Sequence, residues 1–498
     1  MIATSTNLFA GIDVGTTSVK MIVVNEIGSV VYRSSRELTL STPKPGWYEQ
    51  NPEEWWKATA ELLQELMEKN IEPEALGLTG QMHSLVLLEK NGEVLRPAIL
   101  WNDQRTAKEC VEITNLLGGE SEVIKRLGNP VLPGFTAPKI LWVKKNEPDV
   151  FKKAFTFLLP KDYIAYKLTG SLRTEPSDAS GTSLFSVKEN RWDEDVLQSL
   201  FGNQLVPPEI VPSHGVVGNI RPEIARELGI KNIEVVAGGA DNACAALGMG
   251  AMKEQQMVVS VGTSGTVIVT GKDYKPDTTA RIHLFRHVIS DLYYHMGVVL
   301  SATFSLDWAI KILYQNANHN NIEKILAGAA YLPPIPDGVF FLPYLSGERS
   351  PHRDPDARGV IFGLSGKVSK NAIIRSVMEG VAFALRDCKE AIEDLSALPS
   401  IARITGGGSK SDLWVKIIAS VMNTTMERME KNEGASLGAA MLAGIAHGCD
   451  VSKWNSLSDT FIPNDQWTDH YEKGFGCYKR LYQQLRELMK ETRYFEHS

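Results

Sequence analysis

A chain of 498 residues, 43% apolar and 22% charged, is longer than one hydrophobic core serves, so two or more domains are expected. A formal net charge of −7, with acids and bases interspersed, offers no basic face for a phosphate backbone and excludes nucleic acid as a partner. The five cysteines are scattered without C-x-x-C spacing, the stretch MIATSTNLFAGIDVG has neither a basic start nor a long apolar segment, and no apolar run reaches the roughly 18 residues that span a bilayer. A cytoplasmic protein with no membrane partner is expected.

Taken in chain order, LFAGIDVGTTSVKMIVVN (8–25) places a Gly-Thr turn between β-branched runs, which predicts a hairpin. NPEEWWKATAELLQELMEK follows as a helix, with Asn51 as N-cap, Pro52 in the first helical position and Glu54 three residues after the cap. SLVLLEKNGEVLRPAIL carries the Asn91-Gly92 turn between apolar runs, a second hairpin pattern. EVVAGGADNACAALGMG (234–250) reads as a strand that stops at two glycines, presents Asp241 and continues as a small-residue helix. MVVSVGTSGTVIVTG (257–271) repeats the first hairpin about half a chain later, which suggests a duplicated architecture with a boundary near residue 250. NAIIRSVMEGVAFALRDCKEAIEDL and DHYEKGFGCYKRLYQQLRELMKETR show helical spacing, and ARITGGGSKSDLW runs from a strand into a helix start with Ser411 and Asp412 as caps. Strands mixed with helices in both halves predict α/β layers, with a cleft between the halves as the ligand site.

The Gly-Thr turns point backbone N–H groups and hydroxyls at one spot, an arrangement suited to phosphate oxygens. Asp13 precedes the first turn, where an acid either caps the turn or holds Mg²⁺ directly or through water. Asp241 can cap the helix beginning near Asn242, or serve as a lone carboxylate at the mouth of a strand. His83 is a rival for base chemistry, since histidine is the usual general base near neutral pH. Three glycines at 406–408 let a flat ring or a phosphate approach the backbone, or simply form a tight strand-to-helix turn. The chain has no G-x-x-x-x-G-K-[ST] and no G-x-G-x-x-G after a strand, so a nucleotide is held neither by a P-loop nor by a dinucleotide fingerprint.

GIDVGTTSVK, SVGTSGTVIV and TGGGSKSDLW resemble the two phosphate motifs and the adenosine motif of the actin, hexokinase and heat-shock chaperone superfamily. GFTAPKILW, LPYLSGERSPHRDPDARGVIFGL and SVMEGVAFAL narrow the resemblance to the FGGY carbohydrate kinases. Within that family, GQMHSLVLLEKNGEVLRPAILWNDQRT, LLPKDYIAYKLTG, SDASGTSLF and AGGADNACAALG look most like its xylulokinase branch. The resemblance implies an α/β fold of two ribonuclease H-like domains around a cleft. Residues 1–249 would hold the sugar and the base, and 250–498 the adenosine.

It further implies ATP-dependent phosphorylation of D-xylulose to D-xylulose 5-phosphate, with ATP and Mg²⁺ as cofactors and Asp241 taking the sugar-hydroxyl proton. Asp13 would hold Mg²⁺. Gly15, Thr16 and Thr17, with Gly262 and Thr263, would hold phosphates, and Gly407 and Ser411 the adenosine. Met82 and His83 would grip the sugar, for which Gln81, Asn102, Asp103 and Asn242 supply donors and acceptors. Trp101 would lie against the sugar's apolar face, whereas Trp142 reads better as packing. The charged loop GERSPHRDPDARG is given no catalytic role, and a homodimer is left open. Two departures stand out. Ser84 replaces the usual Gly after Met-His and is shared with gluconate kinases, and Ala372 replaces a polar residue near the start of a helix. The alternatives are therefore a kinase for gluconate, ribulose or another ketose or polyol, and a non-catalytic ATP-binding regulator.

Overall fold

The computed structural model describes residues 7–314 and 319–492, so the outer limits of the two expected domains, 1 and 498, lie outside the described residues. Two mixed sheets organise the chain. The first uses β1 (Leu8–Val14), β2 (Ser18–Asn25), β3 (Val30–Glu37), β4 (Ala75–Gly80), β5 (Val216–Asn219) and β6 (Glu234–Ala240), in the order β5-β6-β4-β1-β2-β3. Strands β1, β2 and β3 form an antiparallel meander, and β4 and β6 add parallel to β1. Sequence pattern follows position: central β1 is apolar and covered on both faces, while edge strand β3, VVYRSSRE, alternates between half-buried and exposed.

The second sheet uses β7 (Met257–Val261), β8 (Gly265–Gly271), β9 (His283–Arg286), β10 (Tyr293–Val299), β11 (Ile401–Thr405), β12 (Thr425–Met429) and β13 (Leu457–Phe461). Its order is β9-β10-β8-β7-β11-β12-β13. Strands β7, β8 and β10 again form an antiparallel meander, and β11 and β12 again add parallel to β7. With β9 set aside, the two sheets superpose in order and direction, the duplication that the repeated glycine hairpin predicts. Both are ribonuclease H-like.

Helices clothe the sheets. Among them, α1 (Pro52–Glu68) is capped by Asn51, which accepts from the Glu53 N–H, and buries Trp55, Leu62, Leu63 and Leu66. Next come α2 (Asp241–Gly248), α3 (Lys370–Glu393), α4 (Asp412–Met422), α5 (Ala435–Ala446) and α6 (Asp465–Thr492). Helix α3 packs on β10 and α4, with Val381 and Trp414 in the core, and Ser369 caps it on the Ala372 N–H. The departure at Ala372 is thus a buried residue of the first turn, and the cap is made by its neighbour. The Asn91-Gly92 turn forms, with Gly92 at φ +87°, but Val86–Leu88 pairs mainly with Thr156–Leu158 rather than with the run after the turn. No helix among the described residues is long and apolar enough to cross a membrane.

The halves meet backbone to backbone. Helix α5, from the second half of the chain, lies on β1 and β4 of the first sheet and against α2. A Cβ at Gly11 would sit 1.9 Å from the Ser436 carbonyl oxygen, and one at Gly77 1.8 Å from that of Ala439. One at Gly438 would sit 1.9 Å from that of Cys244. Such contacts exclude any side chain, because backbone cannot yield as a side-chain tip can. Gly77→Ala is therefore expected to lose about 1–3 kcal/mol or more of stability in chemical denaturation. The control Gly366→Ala, with nothing within 4 Å of its Cβ, should stay within about 0.5 kcal/mol.

Candidate active site

Strands β1, β4 and β6 deliver two carboxylates to one end of the first sheet. Asp13 sits near the end of β1, in register with Thr79 of β4, and Asp241 is the first residue of α2, directly after β6. Gly238 and Gly239 shape this exit: the register of β6 on β4 shifts between Val236 and Gly239, and Gly238 has φ +79° with its Cα against the Leu78 carbonyl. Ala240 is the helix cap residue, so Asp241 lies one position inside the helix rather than capping it. Its Oδ1 accepts from the Asn242 backbone N–H at 2.6 Å and from Asn242 Nδ2 at 2.9 Å.

Both carboxyls are half-buried, and burial dominates their acidity. Asp241 is pushed from 3.8 up to about 7 by desolvation and then by the negative charge of Asp13, against the opposing pull of the Asn242 hydrogen bonds. Asp13 is pushed up to about 6 by desolvation, offset in part by Lys20. The N–H groups at the helix start thus favour the ionised form of Asp241 without outweighing burial and the like charge.

The first Gly-Thr turn is tied into a closed circuit. Thr16 Oγ1 donates to Gln81 Oε1 at 3.3 Å, Ser84 Oγ donates to the same oxygen at 3.2 Å, and the Trp101 backbone N–H donates to Ser84 Oγ at 3.1 Å. The Trp101 indole N–H closes the ring on Thr16 Oγ1 at 3.0 Å. Gln50 Nε2 adds a bond to the Thr16 carbonyl, and Gln81 Nε2 reaches Gly15 O and Gln50 Oε1. Gln81 is therefore buried, with both ends of its amide engaged by protein. The Ser84 hydroxyl is likewise internal. Thr17 is exposed, while the Gly15 N–H is bonded to the Ser18 carbonyl.

Met82 and His83 lie beyond the turn. His83 takes a left-handed backbone conformation, φ +69°, which its surroundings enforce: its carbonyl accepts from Lys139 Nζ and Thr136 Oγ1, both at 3.0 Å. Its Nδ1 meets the Gly181 carbonyl at 2.8 Å, and its ring stacks on Phe135 at 4.4 Å. A carbonyl only accepts, so Nδ1 carries the proton and Nε2 is left as an acceptor. Burial, then the charges of Arg349 and Lys139, hold the imidazole neutral and well below its ordinary pKa. A ring so poorly basic suits hydrogen bonding to hydroxyls better than proton abstraction.

Asn242 Nδ2 contacts Met82 Sδ at 3.9 Å, joining the neighbour of Asp241 to the Met82–His83 segment. Asn102 has a buried Oδ1 without a partner among the described residues. Asp103 is fully buried, and both of its oxygens are taken by Arg105 and the backbone N–H groups of Tyr48 and Arg105. Arg105 in turn lies over Trp47 and Trp142, which places Trp142 in packing.

On the second half, Gly406, at φ +89°, packs its Cα against Val261 and Gly262, so the triple glycine and the second Gly-Thr turn form one surface. Gly407 is exposed with open space where a Cβ would point, Thr263 is exposed, and Ser411 caps α4 by accepting from the Trp414 N–H. Ala302 and Thr303 donate their backbone N–H groups to the carbonyls of Thr263 and Gly262.

Sequence reasoning missed the supports of this site. Segment 175–182 holds it from behind: Ser177 Oγ accepts from the Ala240 N–H beside Asp241, Gly181 orients His83, and Glu175 accepts from Ser177 and Asp178. Both this segment and Lys139 fall in stretches whose motifs were visible but whose partners lie about 50–100 residues away, at separations of 56 and 98 from His83.

A carboxyl raised on folding adds stability below its unfolded pKa, and this contribution is lost as pH climbs through its folded value. For Asp241 that window runs from 3.8 to about 7. Metal-free Asp241→Asn keeps an acceptor oxygen for Asn242 but cannot ionise. Its melting temperature should exceed the parent's at pH 8 and by a smaller margin at pH 5, and a difference independent of pH contradicts the burial argument.

Comparison with known proteins agrees with this arrangement. Residues 8–248 match the N-terminal domain of the FGGY family of carbohydrate kinases, and 257–447 its C-terminal domain. A xylulose kinase of Bacillus subtilis is 37% identical over 489 residues, covering 96% of this chain and 97% of that protein. The Escherichia coli xylulose kinase is also 37% identical, over 97% of this chain and 100% of its own. Among solved structures, a xyloylose kinase from Brucella ovis aligns with TM-score 0.89 and 35% identity over 97% of this chain and 100% of that one. A gluconate kinase from Lactobacillus acidophilus aligns with TM-score 0.90 and 28% identity over 97% and 98%. With both domains matched in order across a duplicated fold, the chain belongs to the FGGY family of carbohydrate kinases.

Proposed function

We propose that this carbohydrate kinase transfers the γ-phosphoryl group of ATP to the 5-hydroxyl of D-xylulose, with Asp241 as the general base. The observation that carries the reading is the Asp13–Asp241 pair: a carboxylate poised near neutral pH at the start of α2, beside a second acid at the end of β1. The sugar oxygen forms its bond to the γ-phosphorus as the bridging bond to the β-phosphate breaks. The proton passes to Asp241, and ADP leaves with the electron pair.

Among the described residues no group of three or more His, Cys, Asp or Glu could hold a metal ion by itself, which fits a Mg²⁺ that arrives on ATP and keeps several waters. Asp13 would hold one edge of that hydrated ion, which supplies charge neutralisation at the phosphates. Neutral His83, through Nε2, with Met82, Asn102 and Asn242, receives the sugar. We assign Gln81 and Asp103 to positioning, because their polar atoms are engaged by protein. Gly15, Thr16 and Thr17 face the transferred phosphate, with Gly262 and Thr263 opposite, and Gly407 and Ser411 border the adenosine. Three buried free cysteines, Cys110, Cys244 and Cys388, suit a cytoplasmic location.

The named activity of the 37%-identical relatives supports D-xylulose. Met-His-Ser favours the gluconate alternative in sequence only, since the Ser84 hydroxyl points into the Gln81–Trp101 circuit and not at a sugar.

The test is ATP consumption across D-xylulose, other ketoses, polyols and gluconate, in the parent and in Asp241→Ala. D-xylulose should give the highest kcat/KM, and Asp241→Ala should lower kcat by roughly 10²- to 10⁴-fold with ATP still bound. Preference for gluconate would overturn the substrate, and near-normal turnover would remove Asp241 from the chemistry. Ser84→Gly should leave the order of substrates unchanged while lowering stability by about 1–3 kcal/mol through the orphaned Trp101 N–H. A switch toward gluconate would place Ser84 in the sugar site after all.

A further inference from the structure

Most charged groups of the loop at residues 347–359 have partners. Glu348 Oε1 accepts from the backbone N–H groups of Leu300 at 3.0 Å and Arg349 at 2.8 Å, and His352 lies 3.2 Å from Asp387. Arg353 forks onto Glu120 of the other half at 2.9 and 2.7 Å, and Asp354 accepts from the Tyr482 hydroxyl at 2.8 Å. Two groups are exceptions: Glu348 Oε2, which is buried without a partner, and the guanidinium of Arg349. That guanidinium has no hydrogen bond, ion pair or ring contact among the described residues, although burial draws its pKa down to about 10.

Its mount is rigid. The Arg349 carbonyl accepts from the Arg353 N–H at 2.8 Å, Glu348 and Asp354 exchange backbone bonds, and Ser350 donates to Val298 at 3.0 Å. These bonds fasten the loop to the end of β10, next to the segment whose Ala302 and Thr303 hold the second phosphate turn. On its other side the loop neighbours the His83 cluster: Val298, which accepts from Ser350, lies two residues beyond Met296, the strand partner of His283, and the Phe135 ring contacts those of His283 and His83 at 6.3 and 4.4 Å, near enough for the charge of Arg349 to act on both imidazoles. Arg349 therefore lies at the His83 end of the proposed sugar grip.

The chemistry of that end follows from the site of phosphorylation. A 2-ketopentose closes its furanose ring through the 5-hydroxyl, so a substrate phosphorylated there is open-chain and carries a free C2 carbonyl. A carbonyl oxygen only accepts, and a guanidinium only donates. We propose that Arg349 is a substrate-binding residue that donates to the C2 carbonyl oxygen of the open-chain ketose, and so discriminates a ketose from the matching polyol. This inference rests on the ketose reading above, and it extends to a carboxylate at the same position.

Calorimetry on the full chain without nucleotide, titrating D-xylulose, xylitol and D-xylonate, tests it in the parent, Arg349→Gln and Arg349→Lys. Arg349→Gln should weaken D-xylulose and D-xylonate by about ten- to hundred-fold, as for one lost charge-assisted hydrogen bond, with xylitol changed less than about two-fold. Arg349→Lys should recover part of the loss. Neither variant should melt lower, since the removed cation has no partner to orphan. Equal weakening of all three compounds would mark a structural role and overturn the proposal, as would no weakening. Weaker binding of a non-hydrolysable ATP analogue with D-xylulose unaffected would move Arg349 to the phosphates and also overturn it. A parent that binds D-xylonate but not D-xylulose would refute the ketose reading alone, and D-xylonate against xylitol would then decide Arg349.

Discussion

The site depends on a packing constraint: helix α5 lies on the first sheet so closely that only glycine fits at 11, 77 and 438. Gly11 lies on the strand that ends in Asp13, Gly77 on the strand between Asp13 and Asp241, and Gly438 meets the helix that begins with Asp241. One element from the second half of the chain thus sets the height of both carboxylates. Apolar burial supplies the adhesion here, through Phe9, Ala440, Leu247 and Leu437 in one core, but the glycines supply the distance.

That distance has an electrostatic consequence. Two acids held at the end of a sheet with few counter-charges cannot both ionise cheaply, so each raises the free energy of the charged folded state. In the proposed mechanism this strain would be relieved when positive charge arrives with the nucleotide, with Asp241 as a base poised close to its working pH. Nearby acids are given cations that oppose the same strain: Lys161 sits within 3.7 Å of Asp162, Glu175 and Asp178, and Asp103 is filled by Arg105. Asp13 and Asp241 have no ion pair of this kind among the described residues.

The two hairpins, the Asn51 cap, the glycine exit before Asp241 and the duplication were legible because each is local: a turn type, a cap or a repeat. The family resemblance then supplied roles for residues whose geometry alone was ambiguous, and the structure resolves one of these by placing Asp241 inside the helix rather than at its cap. What stayed hidden is non-local. Gln81 and Asp103 look like sugar ligands by chemical type, yet partners 65 and 55 residues away, Thr16 and Tyr48, share in engaging them. Ser84 looked like a substrate determinant, and its hydroxyl is bonded to Gln81 and to the Trp101 N–H. The loop GERSPHRDPDARG looked like solvated surface, and only its pattern of pairing distinguishes Arg349 from its neighbours.

The account stands on Asp241 being poised by burial and by Asp13. The direct measurement is a carboxyl ¹³C NMR titration of the metal-free protein, comparing the parent with Asp13→Asn. Asp241 should titrate near 7 in the parent and lower once the charge at 13 is gone, while staying above the ordinary 3.8 because burial remains. Titration near 3.8 in both proteins would show an ordinary surface acid and contradict the account.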